Sequence, residues 1–135
     1  MDKTIEVTLR AQQDVVSVRQ LTRTHAVAIG LSLVDQTKFV TAASELARNT
    51  VIHGGGGTAR LELVEEGGKK GIRLTFEDQG PGIPDIQKAL QDGYTTGNGL
   101  GLGLGGAKRL ASHFQIESTP GKGTRIAITQ WSRKL

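Results

Sequence analysis

Three groups of residues in this 135-residue chain have the types and spacing to do chemistry. The first is the stretch EDQGPGIPD, Glu77 to Asp85, in which Asp78 is followed at once by a turn carrying Gly80, Pro81, Gly82, Ile83 and Pro84. Such a turn suits neither helix nor ladder, so its backbone lies open to close approach. A carboxylate beside bare backbone can accept hydrogen bonds from a flat amino-bearing ring such as adenine. The same residues also read as a plain strand-to-helix turn with an N-capping Asp. The second group is Glu45 and Asn49, four apart on one helical face. An amide oxygen is a hard ligand suited to Mg²⁺, and a carboxylate can take a proton from a nucleophilic hydroxyl or water. The competing reading is a polar solvent face, on which Arg48 is a surface arginine able to pair with Glu45. His53 is left out, because a helix C-terminus favours histidine through its dipole alone.

The third group is the glycine-rich run DGYTTGNGLGLGLGG. Gly101, Gly103 and Gly106 satisfy GxGxxG, but that fingerprint must follow an apolar strand and here it follows QDGYTTGN. There is no GxxxxGK[ST] sequence, which removes a P-loop enzyme. What remains is a glycine lid leading into a helix N-terminus near Leu104, where free N–H groups and the dipole favour phosphate oxygens. Thr95 and Thr96 could add hydroxyl donors, Lys108 or Arg109 a cation, and Thr124 a polar contact at the adenine end. With three His, no Cys and no HExxH spacing, a zinc site has no ligand set.

The elements that must position these groups follow from periodicity. Ile5, Val7 and Leu9 alternate with polar residues as a first strand. A helix is predicted from about Asp14, as N-cap, to Ile29, with Gly30 closing it. Ser32 and Asp35 resemble a capping box that opens a second helix running to about His53, where Gly54 to Gly57 stop it. Strands at 59–65 and 71–77 form a hairpin around EGGKKG, so Asp78 falls at a strand's exit. A short helix is expected at 85–91, then no regular element through the glycine run, then helical periodicity from Ala107 to Phe114. Strands at 115–119 and 124–130 close the chain across PGKG. The sum is one domain, a two-layer α/β sandwich with one mixed, mainly antiparallel sheet of about five strands covered on one face by helices.

Composition narrows the function classes. The absence of cysteine removes a disulfide framework and thiolate metal sites. No apolar run approaches the roughly 20 residues of a membrane span, and MDKTIEV lacks the apolar core of a signal peptide, so a cytoplasmic protein without membrane contact is expected. The net charge of +4 comes from scattered basic residues with few aromatics. That pattern suits anionic ligands or acidic partners better than a nucleic-acid surface.

Taken in order, ELARN (Glu45 to Asn49), DQGPGIPD (Asp78 to Asp85), GNGLGLGLGG (Gly97 to Gly106) and the Gly123-Thr124 step resemble the N, G1, G2 and G3 boxes of the GHKL, or Bergerat-fold, ATPases. No helical phospho-acceptor or transducer segment is seen, so the expectation moves from sensor histidine kinases and gyrase-type ATPases to the anti-sigma regulatory serine/threonine kinases. Within them the chain is most similar to the switch kinases of stressosome modules. That resemblance implies ATP and Mg²⁺ as cofactors, Glu45 as general base, Asn49 as Mg²⁺ ligand and Asp78 as acceptor for the adenine amino group. It implies Gly80, Gly82 and Ile83 at the nucleotide, and Gly99, Leu100, Gly101, Leu102, Gly103 and Leu104 with Gly105 at the phosphates. It also implies phosphorylation of STAS-domain partners and activation of a PP2C-type phosphatase by binding. The alternative within the same group is an anti-sigma factor that sequesters a sigma factor with ATP bound.

Overall fold

The computed structural model describes residues 4–83, 85–90 and 103–133. Five strands, β1 (Thr4–Leu9), β2 (Gly57–Glu66), β3 (Lys69–Asp78), β4 (His113–Thr119) and β5 (Gly123–Trp131), lie in the order β1-β2-β3-β5-β4. All four neighbouring pairs are antiparallel, so among the described residues the sheet carries no parallel pairing where a mixed, mainly antiparallel one was expected. The two-layer α/β architecture is otherwise as the periodicity predicts. Phe76, Leu74, Ile72, Leu61, Ile126 and Ile128 point from the sheet into one core shared with Val15 and Val18 of α1 (Gln12–Ala28) and Phe39 and Leu46 of α2 (Leu33–Ile52). Truncating a fully buried ring such as Phe76 to alanine would cost roughly 3–5 kcal/mol.

The helix ends show what local sequence can do. Ser32 caps α2, its Oγ accepting from the Asp35 amide at 3.1 Å, as the capping-box spacing requires. Asp35 is itself buried, and its carboxylate pairs with Arg133 at 3.2 Å. Gly30 adopts φ 85° just beyond α1, while the Gly30 and Leu31 amides return to Val27 and Ala26, a Schellman closure. At the other end of α1 the expected N-cap is displaced. Asp14 lies inside the first turn, and its Oδ2 accepts from the Arg10 and Ala11 amides at 2.8 and 3.0 Å. Ala11 holds the cap position, so Asp14 satisfies orphan donors from within the turn. Those two amide donors hold its carboxyl below the usual carboxylate range.

The β2–β3 hairpin turns on Gly67 and Gly68 alone, both at positive φ, so each strand extends beyond its predicted bounds. The last helix also differs from the reading of the sequence. Helix α4 runs Gly103–Leu110, and Phe114 belongs to β4. Glycine disfavours helix, but Gly105, Gly106 and Ala107 are buried where α4 packs on α2, and residues this small let the two helices approach closely. Tertiary packing overrides propensity here. Helix α3 is the single turn Ile86–Ala89, capped by Asp85, whose Oδ1 accepts from the Lys88 amide at 3.0 Å.

Candidate nucleotide site

The site is built at the end of the sheet from which β3 exits. Gly57, Asp78, Thr124 and Ser118 are consecutive register partners on β2, β3, β5 and β4. Two residues along the strands stand Ala59, Phe76, Ile126 and Ile116, which pack into the core. Because side chains alternate, the whole row faces the helical layer. Asp78 and Thr124 are thereby brought side by side although 46 residues separate them in sequence.

Backbone packing then fixes the Asp78 carboxylate. Its Oδ1 accepts from the Gly80 amide at 2.9 Å, and among the described residues its Oδ2 takes no hydrogen bond. Gly54 lies directly on it, for a Cβ there would come within 2.5 Å of Asp78 Cγ. A Cβ on Gly80 would in turn meet the Gly54 backbone at 2.8 Å, and one on Gly82, at φ 78°, would meet the Thr119 carbonyl at 2.5 Å. Gly123, at φ 112°, packs on the Asp78 carbonyl and leaves no room for a side chain. The glycines of the turn are therefore sites where the protein's own backbone packs closely; the N-capping Asp of the competing reading is Asp85, at the start of α3, while Asp78 accepts from the Gly80 amide.

The same packing carries the second group to the first. The Asn49 carbonyl accepts the His53 and Gly54 amides at 2.8 and 3.1 Å, so the chain passes from the end of α2 directly onto Asp78 through Gly54. Glu45, one turn earlier on α2, is half-buried with 15% of its side chain exposed, and Arg48 reaches it only at 4.0 Å. Arg48 is thus a partly exposed arginine beside Glu45, an ion pair of small energetic weight. Ile83 is half-buried, packs against the core, and its amide donates to Ser118 Oγ at 2.7 Å.

Gly103 and Leu104 open α4, so a helix begins near Leu104, where the glycine run was expected to lead into one. Lys108 and Arg109 occupy the last turn of that helix, away from those amides, where cations complement the dipole. Thr95, Thr96, Gly99, Leu100, Gly101 and Leu102 lie outside the described residues. Sequence reasoning missed Gly54 and Ser118. Gly54 was read only as a helix stop and Ser118 only as a strand residue, and no local signal marks either one's contact with a distant turn. Among the described residues no group of three or more His, Asp or Glu is placed to hold a metal ion.

A carboxylate beside a threonine hydroxyl, walled by backbone, has the acceptors to take the amino edge of a purine, and the helix that delivers Gly54 onto it also carries Glu45 and Asn49. Residues 34–133 match the family described as Histidine kinase-, DNA gyrase B-, and HSP90-like ATPase, and the chain belongs to that family. Over 94% of its length it is 46% identical to the Serine/threonine-protein kinase RsbT of Bacillus subtilis (strain 168), covering 96% of that protein. It is also 35% identical to the Anti-sigma F factor of Thermoanaerobacter sp. (strain X514), over 67% of this chain and 66% of that one. Among solved structures, the RsbU and RsbW domains of Rv1364c from Mycobacterium tuberculosis share the fold, with a TM-score of 0.66 at 22% identity. That match covers 99% of this chain and spans about a third (33%) of the other.

Proposed function

We propose that the chain is an ATP-dependent serine/threonine protein kinase that phosphorylates STAS-domain partners in a partner-switching pathway governing a sigma factor. The observation that carries this reading is the Asp78 row joined through Gly54 to the helix bearing Glu45 and Asn49, in a chain 46% identical to a named serine/threonine kinase. Asp78 Oδ2 accepts from the adenine amino group while Gly80 and Gly82 let the ring approach the backbone. When bound, ATP supplies the γ-phosphoryl group, and Mg²⁺ neutralises charge on its phosphates. Asn49 Oδ1 would help hold that ion. The amides opening α4 at Gly103 and Leu104 stabilise charge on the phosphate oxygens. Glu45 receives the proton of the acceptor hydroxyl as that oxygen forms its bond to the γ-phosphorus and the bond from phosphorus to the bridging oxygen breaks, releasing ADP.

The protein works in the cytoplasm in this reading; among the described residues no helix is long and apolar enough to cross a membrane. Its release from the STAS partner leaves it free to bind and activate a PP2C-type phosphatase. Radiolabelled transfer from ATP to a purified STAS-domain protein, compared between wild type and Glu45→Ala, tests the assignment. Label on a Ser or Thr that disappears in the variant supports it, and transfer unaffected by the substitution refutes the role of Glu45. The likeness to Anti-sigma F factor favours a second reading, an ATP-bound protein that sequesters a sigma factor. Retention of a sigma factor without transfer to any STAS protein would select it.

A further inference from the structure

The contacts around Ser118 assign hydrogen positions that bear on base recognition. Ser118 Oγ accepts from the Ile83 amide at 2.7 Å, lies 3.2 Å from the Gly123 carbonyl and 3.0 Å from Thr124 Oγ1. A serine hydroxyl has one proton and two acceptor lone pairs. The Gly123 carbonyl can only accept, so it must take the Ser118 proton. One lone pair of Ser118 Oγ is occupied by the Ile83 amide, and the other receives the Thr124 proton. This is the one arrangement in which all three contacts are hydrogen bonds at once. Thr124 has then spent its only donor on Ser118, and its oxygen is left purely an acceptor in the row beside Asp78.

We propose that Ser118 is a positioning residue for base specificity: by taking the Thr124 proton it makes Thr124 a second acceptor beside Asp78, so the site selects a ring carrying an amino group over one carrying a carbonyl oxygen. This rests on the ATP-binding reading above. An adenine amino group has two protons, one for Asp78 and one for Thr124. Without the Ser118 oxygen, the Thr124 proton turns toward the base, where it opposes an amino group and suits a carbonyl.

The test is the ratio of dissociation constants for ATP and inosine triphosphate, which bears a carbonyl in place of that amino group, measured by titration calorimetry. Wild type should prefer ATP. Ser118→Ala should narrow the preference by roughly 3- to 10-fold, the worth of one hydrogen bond. Ser118→Thr, which keeps the hydroxyl, should restore it. Thr124→Val removes the acceptor directly and should narrow the ratio by a similar factor, so the inference stays open to test should Ser118→Ala misfold by circular dichroism. A Ser118→Ala protein that weakens both nucleotides equally would reduce Ser118 to a structural tie and overturn the inference alone. Wild type that binds no ATP would overturn the ATP-binding reading and this inference with it.

Discussion

The two ends of the candidate site are built from different materials. At the Asp78 end the geometry is set by backbone, with Gly54, Gly80, Gly82 and Gly123 packed where a Cβ would collide and Ser118 tying the Ile83 turn to the β4–β5 hairpin. At the Glu45 end two side chains stand one turn apart on α2, and Arg48 approaches Glu45 at 4.0 Å. In the proposed function, the geometry of the base site is therefore set by backbone packing, while the transfer chemistry rests on individual side chains that the packing does not hold. Changes at the first end should damage binding, and changes at the second should damage transfer with binding intact.

The largest effect should come from Asp78→Asn. The amide turns a donor toward the amino group that Asp78 accepts, and nucleotide affinity should fall on the order of 100-fold or more, read by titration calorimetry. Unchanged affinity would dissolve the distinction at its rigid end. Glu45→Ala should keep ATP affinity within a few-fold and lower the transfer rate by roughly 10²–10⁴-fold, the usual contribution of a general base. Gly54→Ala sharpens the comparison, because Gly54 has an ordinary backbone conformation and the atoms nearest an added Cβ all belong to the Asp78 side chain. The displaced carboxylate should weaken ATP binding about tenfold, with little further loss in transfer per bound nucleotide.

Asp14→Asn serves as the control, since Asp14 lies at the start of α1. The folded-state carboxyl is depressed by the Arg10 and Ala11 amides, so its stabilisation is present above the unfolded pKa near 3.8 and is lost as pH falls through the lower folded value. The variant should melt earlier than wild type at neutral pH, with the difference shrinking below about pH 4, and nucleotide affinity should not change.

Much of this was legible in the sequence because it is local. The Ser32 cap, the Gly30 helix stop, the Gly67-Gly68 turn and the exit of β3 at Asp78 are each encoded within a few residues. The boundaries that moved were decided at a distance. Glycines 105 and 106 join α4 because they are buried against α2, and no window around them reports that contact. The tie from Ser118 to the Asp78 turn is likewise invisible along the chain, for Ser118 and Ile83 are 35 residues apart and meet only after β5 has paired between β3 and β4. Gly54 reads as helix punctuation until α2 delivers it onto Asp78.

The central claim is that the Asp78 row binds ATP, and titration calorimetry of the wild-type protein with Mg·ATP tests it most directly. Saturable binding at one site per chain is the predicted result. A titration with no heat beyond dilution, supported by no competition from ADP against a fluorescent ATP analogue, would contradict it and reduce the glycine-packed turn to a structural junction.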